Sequence, residues 1–279
     1  MPELPEVENV RTGLSRRIVG QRIIRVSIHR PDIIRGPSKP RNMLSGCQIK
    51  EIGRHGKQLA IYTEDNGSHE PCICIHLGMT GSLRYEPTSR LSGTQLNHIH
   101  VIWRLGDGGK VFFRDPRRFG GIWTFPTPQK LWDTRWRHLG PDAVRITTMQ
   151  LTKSLGKGSR SIKSALLDQG VIAGLGNIYV DEILFQCQIH PLTPVKMLCH
   201  KQVSSLVIQL HRLLHSAIKA GGSTFRDYQN ANGNKGRFQS QFQVYGRGDQ
   251  GCKRCGTTLQ KVTVAGRTSV FCQCCQALL

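Results

Sequence analysis

The chain has 279 residues, with 39 Lys or Arg against 18 Asp or Glu, which gives a formal net charge of +21 at pH 7. A hydrophobic content of 38% supports real cores and excludes a disordered or fibrous class. No apolar run approaches the roughly 18 residues of a membrane span, and early glutamates interrupt any signal core, so we expect an intracellular, soluble protein. The positive charge predicts a polyanionic partner and is typical of nucleic-acid binding, with a solubilising surface as the simpler alternative.

The first half of the chain is predicted to be a β-sandwich that begins with a helix. Apolar residues recur at helical spacing from residue 5 to residue 19, and Gly20 suits the helix stop. The apolar period then changes to two, which is typical of half-buried strands broken by Gly and Pro. The alternating stretches are IRVSIH (24–29), KQLAIYT (57–63), PCICIHL (71–77), HIHVIWRL (98–105), KVFFRD (110–115) and GIWTF (121–125).

The second half is predicted to be helical up to about residue 225. Helical patterns occur in SIKSALLDQG (161–170), NIYVDEILFQCQ (177–188) and VSSLVIQLHRLLHSAIKA (203–220). We therefore predict an α+β protein of two domains. The predicted division is a β-sandwich domain over 1–140, a linker over 141–152, a helical domain over 153–245 and a cysteine-rich finger over 246–279.

Four cysteines near the end of the chain have the spacing C-x2-C-x16-C-x2-C. Two close pairs of thiolates suit a tetrahedral zinc ion, and four protein ligands leave no position for a catalytic water, so one structural zinc is expected. Two disulfides are the alternative, and Cys274 could compete as a ligand. The stretch KVTVAGRTSVF (261–271) between the pairs predicts a hairpin that turns near Gly266. The predicted ligands are Cys252, Cys255, Cys272 and Cys275.

Seven motifs together carry a family resemblance. They are MPELPEVE, HLGMTGSL, DPRRFG, HLGPD, GLGNIYVDE, QVYGR and GRTSVFCQCC, in this order over nearly the whole chain. The set resembles the bacterial formamidopyrimidine-DNA glycosylase family. The resemblance implies a helix–two-turn–helix domain, a zinc-finger hairpin and a bifunctional DNA glycosylase/AP lyase acting on oxidised purines in base excision repair. It further implies a monomer on double-stranded DNA that contains oxidised bases or abasic sites, with no membrane partner and a cytoplasmic, nucleoid-associated location.

The resemblance assigns catalysis to Pro2, Glu3 and Lys57. Removal of Met1 would leave Pro2 with a secondary amine, and an α-amino group with a pKa of about 7.7–8.0 is partly unprotonated at neutral pH. Such an amine can attack a sugar C1′ and form an iminium with the opened deoxyribose. Glu3 is the implied acid/base group. Lys57 is the implied hairpin lysine near the damaged nucleotide, with an ordinary surface lysine as the alternative.

Further residues match the family's DNA contacts. Met79, Arg117 and Phe119 match the three residues that fill the void left by an extruded base, although Met79 and Phe119 alone would more often be core residues. Phosphate contacts are implied for the remaining matches, and for Lys163 a solvated helix lysine is the alternative. The residues implied to contact phosphate are His76, Lys163, Asn177 and Arg267.

The lesion pocket is the least constrained part of the resemblance. The stretch GGSTFRDYQNANGNKG (221–236) matches the loop that closes over the flipped base. Arg226 stands where lysine is frequent in the family, which leaves the preference among lesions open. Glu6 also has the alternative of a plain first-turn acid favoured by the helix dipole. The pocket candidates are Glu6, Ser223, Thr224, Arg226 and Tyr245.

Three other functions are consistent with parts of the sequence. An endonuclease VIII-like glycosylase for oxidised pyrimidines shares the scaffold, but the ELPEVE terminus and the Met/Arg/Phe set favour purines. A non-catalytic damaged-DNA-binding protein would be expected to lose some of the active-site matches. A zinc-ribbon module unrelated to repair explains the charge and the cysteines but leaves the N-terminal motif unexplained.

Overall fold

The structure is a computed structural model that describes residues 1–37, 43–87, 97–223 and 236–278. The chain divides into two compact units, the first formed by Met1–Arg137 with Ala220–Arg237 and the second by His138–Lys219 with Phe238–Leu279. Within the described ranges, no helix has both the length and the apolar character needed to cross a membrane.

The first unit contains a leading helix and two antiparallel sheets. The elements are α1 (Leu4–Ile18), β1 (Ile23–Ile28), β2 (Gln48–His55), β3 (Gln58–Glu64), β4 (Cys72–His76), β5 (Ser82–Glu86), β6 (Ile99–Leu105), β7 (Lys110–Arg114), β8 (Gly121–Phe125), α2 (Pro128–Leu131) and a π-helical turn (Trp132–Trp136). One sheet has the strand order β1-β6-β7-β5 and the other the order β2-β3-β4-β8. The α+β prediction with a leading helix and a β-sandwich is therefore confirmed.

Helix α1 is anchored by its apolar face. Glu3 is its N-cap residue and Pro5 lies in its first turn, where a missing N–H costs no hydrogen bond. Its buried apolar residues join a core to which both sheets contribute, including Ile75 of β4 and Phe113 of β7. Burial of each such side chain contributes about 1.5–3 kcal/mol, so the N-terminal turn is held firmly against the sheets. The apolar residues that α1 buries completely are Leu4, Val7, Val10, Leu14 and Ile18.

The second unit combines helices with one hairpin. The hairpin strands pair in register from Arg267 opposite Val264 to Phe271 opposite Gln260. The two turn residues, Ala265 and Gly266, both have positive φ (49° and 70°), which is the backbone of a type I′ turn. The elements are α3 (Thr148–Leu155), α4 (Ile162–Leu167), α5 (Asn177–Gln186), α6 (His200–Lys219), β9 (Gln260–Val264) and β10 (Arg267–Phe271).

Several boundaries differ from those that the sequence predicted. Residues 141–152, predicted as a linker, include the start of α3, which opens with a capping box between Thr147 and Gln150. Residues 220–223 and 236–237, predicted as part of the helical domain, belong to the first unit. Strand β2 was not predicted because its pairing register with β3 shifts between Ile49 and Glu51, which breaks the alternation of apolar residues.

Candidate active site and nucleic-acid interface

A buried hydrogen-bond network surrounds Glu6 in the first turn of α1. The side chain is 1% exposed, and its Oε2 accepts a hydrogen bond of 2.9 Å from the backbone N–H of Glu3. Its Oε1 accepts bonds of 2.6 and 3.0 Å from the backbone N–H and the hydroxyl of Ser223. A plain first-turn acid accounts for the bond to Glu3 but not for those to Ser223, 217 residues along the chain. Glu6 therefore fastens the turn that begins at Pro2 to residues 220–223.

Glycines allow the backbone to approach this network closely. Gly222 has φ +81°, and a Cβ at this position would lie 2.9 Å from Glu6 Oε1. A Cβ at Gly236 would lie 2.2 Å from the Gly222 carbonyl oxygen. The chain thus leaves the network at Ser223 and returns beside it at Gly236. Thr224 and Arg226, two predicted pocket residues, lie outside the described residues.

Lys57 lies in the tight turn between β2 and β3. It follows Gly56, which has φ +56°, and is 8% exposed, so it does not fit the alternative of an ordinary surface lysine. His55, two residues before Lys57, packs against the rings of Trp132 and Trp136 with centroid distances of 5.7 and 5.6 Å. These aromatic contacts fix the turn on which Lys57 is carried.

His76 ends β4 in a neutral state. Its Nδ1 accepts a hydrogen bond of 3.3 Å from the backbone N–H of Gly78, which leaves the proton on Nε2. Burial, together with the nearby charges of Arg135 and Lys57, lowers the pKa of His76 to about 4. His76 can therefore donate one hydrogen bond from Nε2 at neutral pH, but it brings no positive charge.

Asp115 joins the two loops that carry the predicted void-filling residues. This carboxylate is fully buried; its Oδ1 accepts a hydrogen bond of 2.5 Å from the Thr80 hydroxyl and its Oδ2 one of 2.7 Å from the Gly120 N–H. The Thr80 oxygen accepts a further bond of 3.2 Å from the Arg117 N–H. The sequence motifs contain Asp115, but no role was predicted for it. A carboxylate is seldom fully buried without partners, so its position between apolar strands was the available signal.

The three predicted void-filling residues lie on these two loops and are exposed. Met79 is 42% and Phe119 55% exposed, so neither is a core residue, and the Arg117 guanidinium lies 4.7 Å from the Phe119 ring centroid. A Cβ at Gly78 would lie 2.5 Å from the Phe119 carbonyl carbon and 2.4 Å from the Gly120 nitrogen. The two loops can therefore touch only because Gly78 lacks a side chain.

In the second unit, α5 and β10 meet at a backbone carbonyl. Asn177 is the first residue of α5, and its Nδ2 donates a hydrogen bond of 2.9 Å to the Thr268 carbonyl oxygen. Thr268 follows Arg267, which is exposed at the start of β10. The Asn177 side chain is therefore bonded to the residue that follows Arg267, and the phosphate roles of both residues stay predictions.

Lys163 is placed differently from the other predicted phosphate ligands. Its side chain is 0% exposed, and its Nζ lies 2.6 Å from Asp181 Oδ1 and 3.3 Å from the Thr268 carbonyl oxygen. The prediction of a surface phosphate contact does not fit this position, and neither does the alternative of a solvated lysine. Its partner Asp181 was not predicted to have a role.

Tyr245 lies in a loop that is held by Glu182 of α5. The Glu182 carboxylate, 1% exposed, accepts hydrogen bonds of 2.8–3.0 Å from the backbone N–H groups of Gln243, Val244 and Tyr245. The Tyr245 ring packs edge-on against Phe242. Tyr245 belongs to the second unit, whereas Glu6 and Ser223 belong to the first.

The four predicted zinc ligands form one cluster. Their sulfur atoms all lie within 4.8 Å of one another, with separations of 3.5 Å for Cys255–Cys272 and 4.0 Å for Cys252–Cys275. Zn–S bonds of about 2.3 Å in a tetrahedron place sulfur atoms roughly 3.8 Å apart, so the donor set fits one structural zinc ion. Cys274 is exposed and is not part of the cluster. The prediction of a four-cysteine zinc site is confirmed.

Comparisons with known proteins cover almost the whole chain. Three family models match, described as the formamidopyrimidine-DNA glycosylase N-terminal domain (1–122), the formamidopyrimidine-DNA glycosylase H2TH domain (139–229) and the zinc finger found in FPG and IleRS (250–278). The chain is 40% identical over 284 residues to formamidopyrimidine-DNA glycosylase of Bacillus subtilis, covering 99% of each protein.

The chain is also similar to solved structures of formamidopyrimidine-DNA glycosylases bound to DNA. The chain is 34% identical to wild-type Lactococcus lactis Fpg in complex with N7-benzyl-Fapy-dG containing DNA, with a TM-score of 0.87, covering 99% of this chain and 100% of that one. The same protein in complex with DNA containing an abasic site gives a TM-score of 0.87 at 34% identity, covering 99% of both chains.

Proposed function

Because the chain belongs to the formamidopyrimidine-DNA glycosylase family, we propose that it is a bifunctional glycosylase/AP lyase that excises oxidised purines, 8-oxoguanine and formamidopyrimidines, from duplex DNA in base excision repair. The observation that carries the proposal is the Glu6 network. It holds the Pro2–Glu3 turn in place by hydrogen bonds from Glu3 and from Ser223, at the start of the predicted lesion loop.

Pro2 is the proposed nucleophile once Met1 has been removed. Its nitrogen lone pair attacks C1′, the C1′–base bond breaks with its electron pair on the base, and a proton is transferred to the departing base. Loss of the amine proton and cleavage of the C1′–O4′ bond give an iminium on the opened sugar, with a proton delivered to O4′. Glu3, which is next to Pro2 in the chain and 3% exposed, is the group proposed to move these protons.

The iminium is an electron sink, so strand cleavage follows from the same intermediate. Loss of a C2′ proton expels the 3′ phosphate by β-elimination, and a second proton loss expels the 5′ phosphate by δ-elimination. Hydrolysis of the remaining iminium by water then restores the Pro2 amine. Lys57, on its rigid turn, is proposed to bind phosphate near the reacting sugar, and His76 to donate from Nε2 to a neighbouring phosphate.

Base extrusion and positioning are proposed for the remaining contacts. The exposed side chains of Met79 and Phe119 would fill the stack, and Arg117 would hydrogen-bond the orphaned cytosine. Asn177 and Arg267, brought together at the Thr268 carbonyl, are proposed to bind the backbone. The net charge of +21 supports strong, salt-dependent attraction to DNA, and we propose that the protein acts as a monomer in the cytoplasm.

Borohydride trapping tests the nucleophile. The processed protein is incubated with a duplex containing 8-oxoguanine opposite cytosine, and borohydride is added to reduce the iminium. We expect a covalent protein–DNA adduct and, without borohydride, phosphates at both new ends. A chain with Gln inserted between Met1 and Pro2 retains Met1 and converts the Pro2 amine to an amide without adding a side-chain amine, so it should give no Pro2 adduct.

The matched control is Pro5→Ala, which changes a proline of the same helix turn and leaves the Pro2 amine intact, so trapping should persist. An adduct that survives the Gln insertion with unchanged yield would overturn the role of Pro2. A parallel duplex with thymine glycol tests the pyrimidine alternative. Faster release of thymine glycol than of 8-oxoguanine would assign the chain to oxidised pyrimidines instead.

A further inference from the structure

A buried ion pair in the second unit joins two elements that carry proposed phosphate contacts. Lys163 of α4 and Asp181 of α5 lie 2.6 Å apart, with side chains 0% and 1% exposed. Burying two charges is costly even when they are paired, and such pairs are often retained for structural specificity rather than for net stability. The groups that hydrogen-bond to the pair show which element it holds in place.

Both members of the pair bind the strand that begins with Arg267. Asp181 Oδ1 accepts a hydrogen bond of 2.9 Å from the Ser269 hydroxyl, and Oδ2 accepts one of 3.1 Å from the Val270 N–H. Lys163 Nζ donates to the Thr268 carbonyl oxygen at 3.3 Å. The three residues that follow Arg267 are therefore all bound by the ion pair.

The Thr268 carbonyl is shared with Asn177. Its oxygen accepts hydrogen bonds from Lys163 Nζ and from Asn177 Nδ2 at 2.9 Å. A lysine ammonium at this carbonyl therefore sets the positions of both proposed phosphate ligands. Asn177 is bonded to the same oxygen, and Arg267 is the preceding residue.

The zinc site alone cannot hold Arg267 in position. Cys272 is the only ligand adjoining β10 among the four, and it follows the last strand residue, Phe271. Arg267 is at the opposite end of this five-residue strand, roughly 13 Å from Phe271 at about 3.3 Å per residue. Because the ion pair binds the middle of the strand, it restrains the segment between the zinc site and Arg267.

We propose that Lys163 and Asp181 are positioning residues for DNA binding, which hold Thr268–Val270 against α5 so that Arg267 and Asn177 can engage one stretch of DNA backbone together. This inference rests on the proposed function, since it concerns the phosphate contacts made there. Lys163 acts through Arg267 and Asn177 and does not touch DNA. The same structural role is assigned to Asp181, which the sequence motifs did not single out.

The test is a double-mutant cycle on DNA affinity. The dissociation constant is measured over a range of salt concentrations with a duplex containing a tetrahydrofuran abasic analogue, which cannot be cleaved. The variants are Lys163→Met, Arg267→Ala and the combination of both, and the zinc content of each is measured. Lys153→Met is the matched control because Lys153 is an exposed lysine of α3, a helix that contributes neither member of the ion pair.

Lys163→Met should weaken binding about tenfold and lower the slope of log K against log salt by about 1, as Arg267→Ala does, because the Arg267 contact is lost. In the Arg267→Ala background, Lys163→Met should have less than about a twofold further effect, because the two residues act as one unit. Zinc content should stay unchanged. Lys153→Met should leave affinity within about twofold of wild type.

Ser269→Ala provides a milder variant if Lys163→Met folds poorly. It removes one hydrogen bond to Asp181 and keeps the ion pair, so affinity should fall about two- to fivefold, again only when Arg267 is present. Full additivity of either variant with Arg267→Ala would overturn the inference while leaving the proposed function intact. If Arg267→Ala itself changes neither affinity nor slope, the proposed phosphate role of Arg267 is wrong, and the inference falls with it.

Discussion

The Thr80 hydroxyl donates a hydrogen bond of 2.5 Å to the buried carboxylate of Asp115 and accepts one of 3.2 Å from the Arg117 N–H. Thr80 lies between β4 and β5, and Asp115 between β7 and β8, so both connections pass from one sheet to the other. A single pair of side chains thus links the loop of Met79 to the loop of Phe119. The flanking strands pair at both ends of the loops, His76 with Gly121 and Ser82 with Arg114. Between these ends, the Thr80–Asp115 hydrogen bond joins the loops that carry the proposed void-filling residues.

Thr80→Val should separate these loops without changing side-chain volume much. The buried Asp115 carboxylate would lose a donor, which costs about 1–3 kcal/mol for an unsatisfied buried group, and the exposed Arg117 N–H would lose an acceptor. We expect kcat/KM for release of 8-oxoguanine to fall about tenfold or more. Thr80→Ser keeps the hydroxyl and should remain within about threefold of wild type. Equal rates for the valine and serine variants would contradict this account.

Two substitutions in the Glu6 network should lower the yield of the borohydride adduct to different extents. Glu6→Gln replaces one acceptor oxygen by an NH2 group, which would then face the N–H of either Glu3 or Ser223, at a cost of about 1–3 kcal/mol. Ser223→Ala removes only the hydroxyl bond and leaves the backbone bond to Glu6. The yield of the borohydride adduct should therefore fall much more in Glu6→Gln than in Ser223→Ala. The reverse order would show that Glu6 does not position the N-terminal turn.

Two serine substitutions distinguish the cysteines that bind zinc from Cys274, which lies outside the four-sulfur cluster. Cys272→Ser should lose the metal and with it DNA affinity, because zinc binding in such sites supplies about 10–16 kcal/mol of apparent free energy to folding. Cys274→Ser should keep zinc and affinity, since Cys274 is exposed and outside the four-sulfur cluster. Metal analysis and DNA titration check both. Zinc loss from Cys274→Ser would show that Cys274 belongs to the donor set.

His76 predicts a dependence of stability on pH. Its pKa in the folded protein is about 4, below its ordinary value of 6.5, so the unfolded chain binds a proton more readily. This contribution to stability is present above about pH 6.5 and is lost as the pH falls towards 4. Between pH 7 and pH 5 the loss from His76 should be about 2 kcal/mol.

Urea unfolding of wild type and His76→Gln at the two pH values isolates this contribution from other titrating groups. The drop in the free energy of unfolding between pH 7 and pH 5 should be about 2 kcal/mol smaller in His76→Gln. Because His76 brings no charge, the substitution should also leave the salt dependence of DNA binding unchanged at pH 7. An equal drop in both proteins would contradict the neutral buried state.

The family, the fold class and the zinc site could all be predicted from the sequence. Seven ordered motifs identified the family, which the family models and full-length relatives confirm. The cysteine spacing was sufficient to predict the zinc site, because two close pairs of thiols on one hairpin suit four-sulfur coordination of a single ion and few other arrangements. Helix α5 and the hairpin were predictable because capping, periodicity and turn chemistry are local properties.

The pairing of the buried polar side chains, in contrast, depends on contacts between distant segments of the chain. Lys163 and Asp181 are 18 residues apart and lie in two different helices, so local patterns could not show that one neutralises the other in the core. Glu6 and Ser223 are 217 residues apart. Burial makes each of these contacts necessary, because a charge or donor removed from water must find a partner. Which partner it finds is decided by how distant segments pack, and that information is not present in any short stretch of sequence.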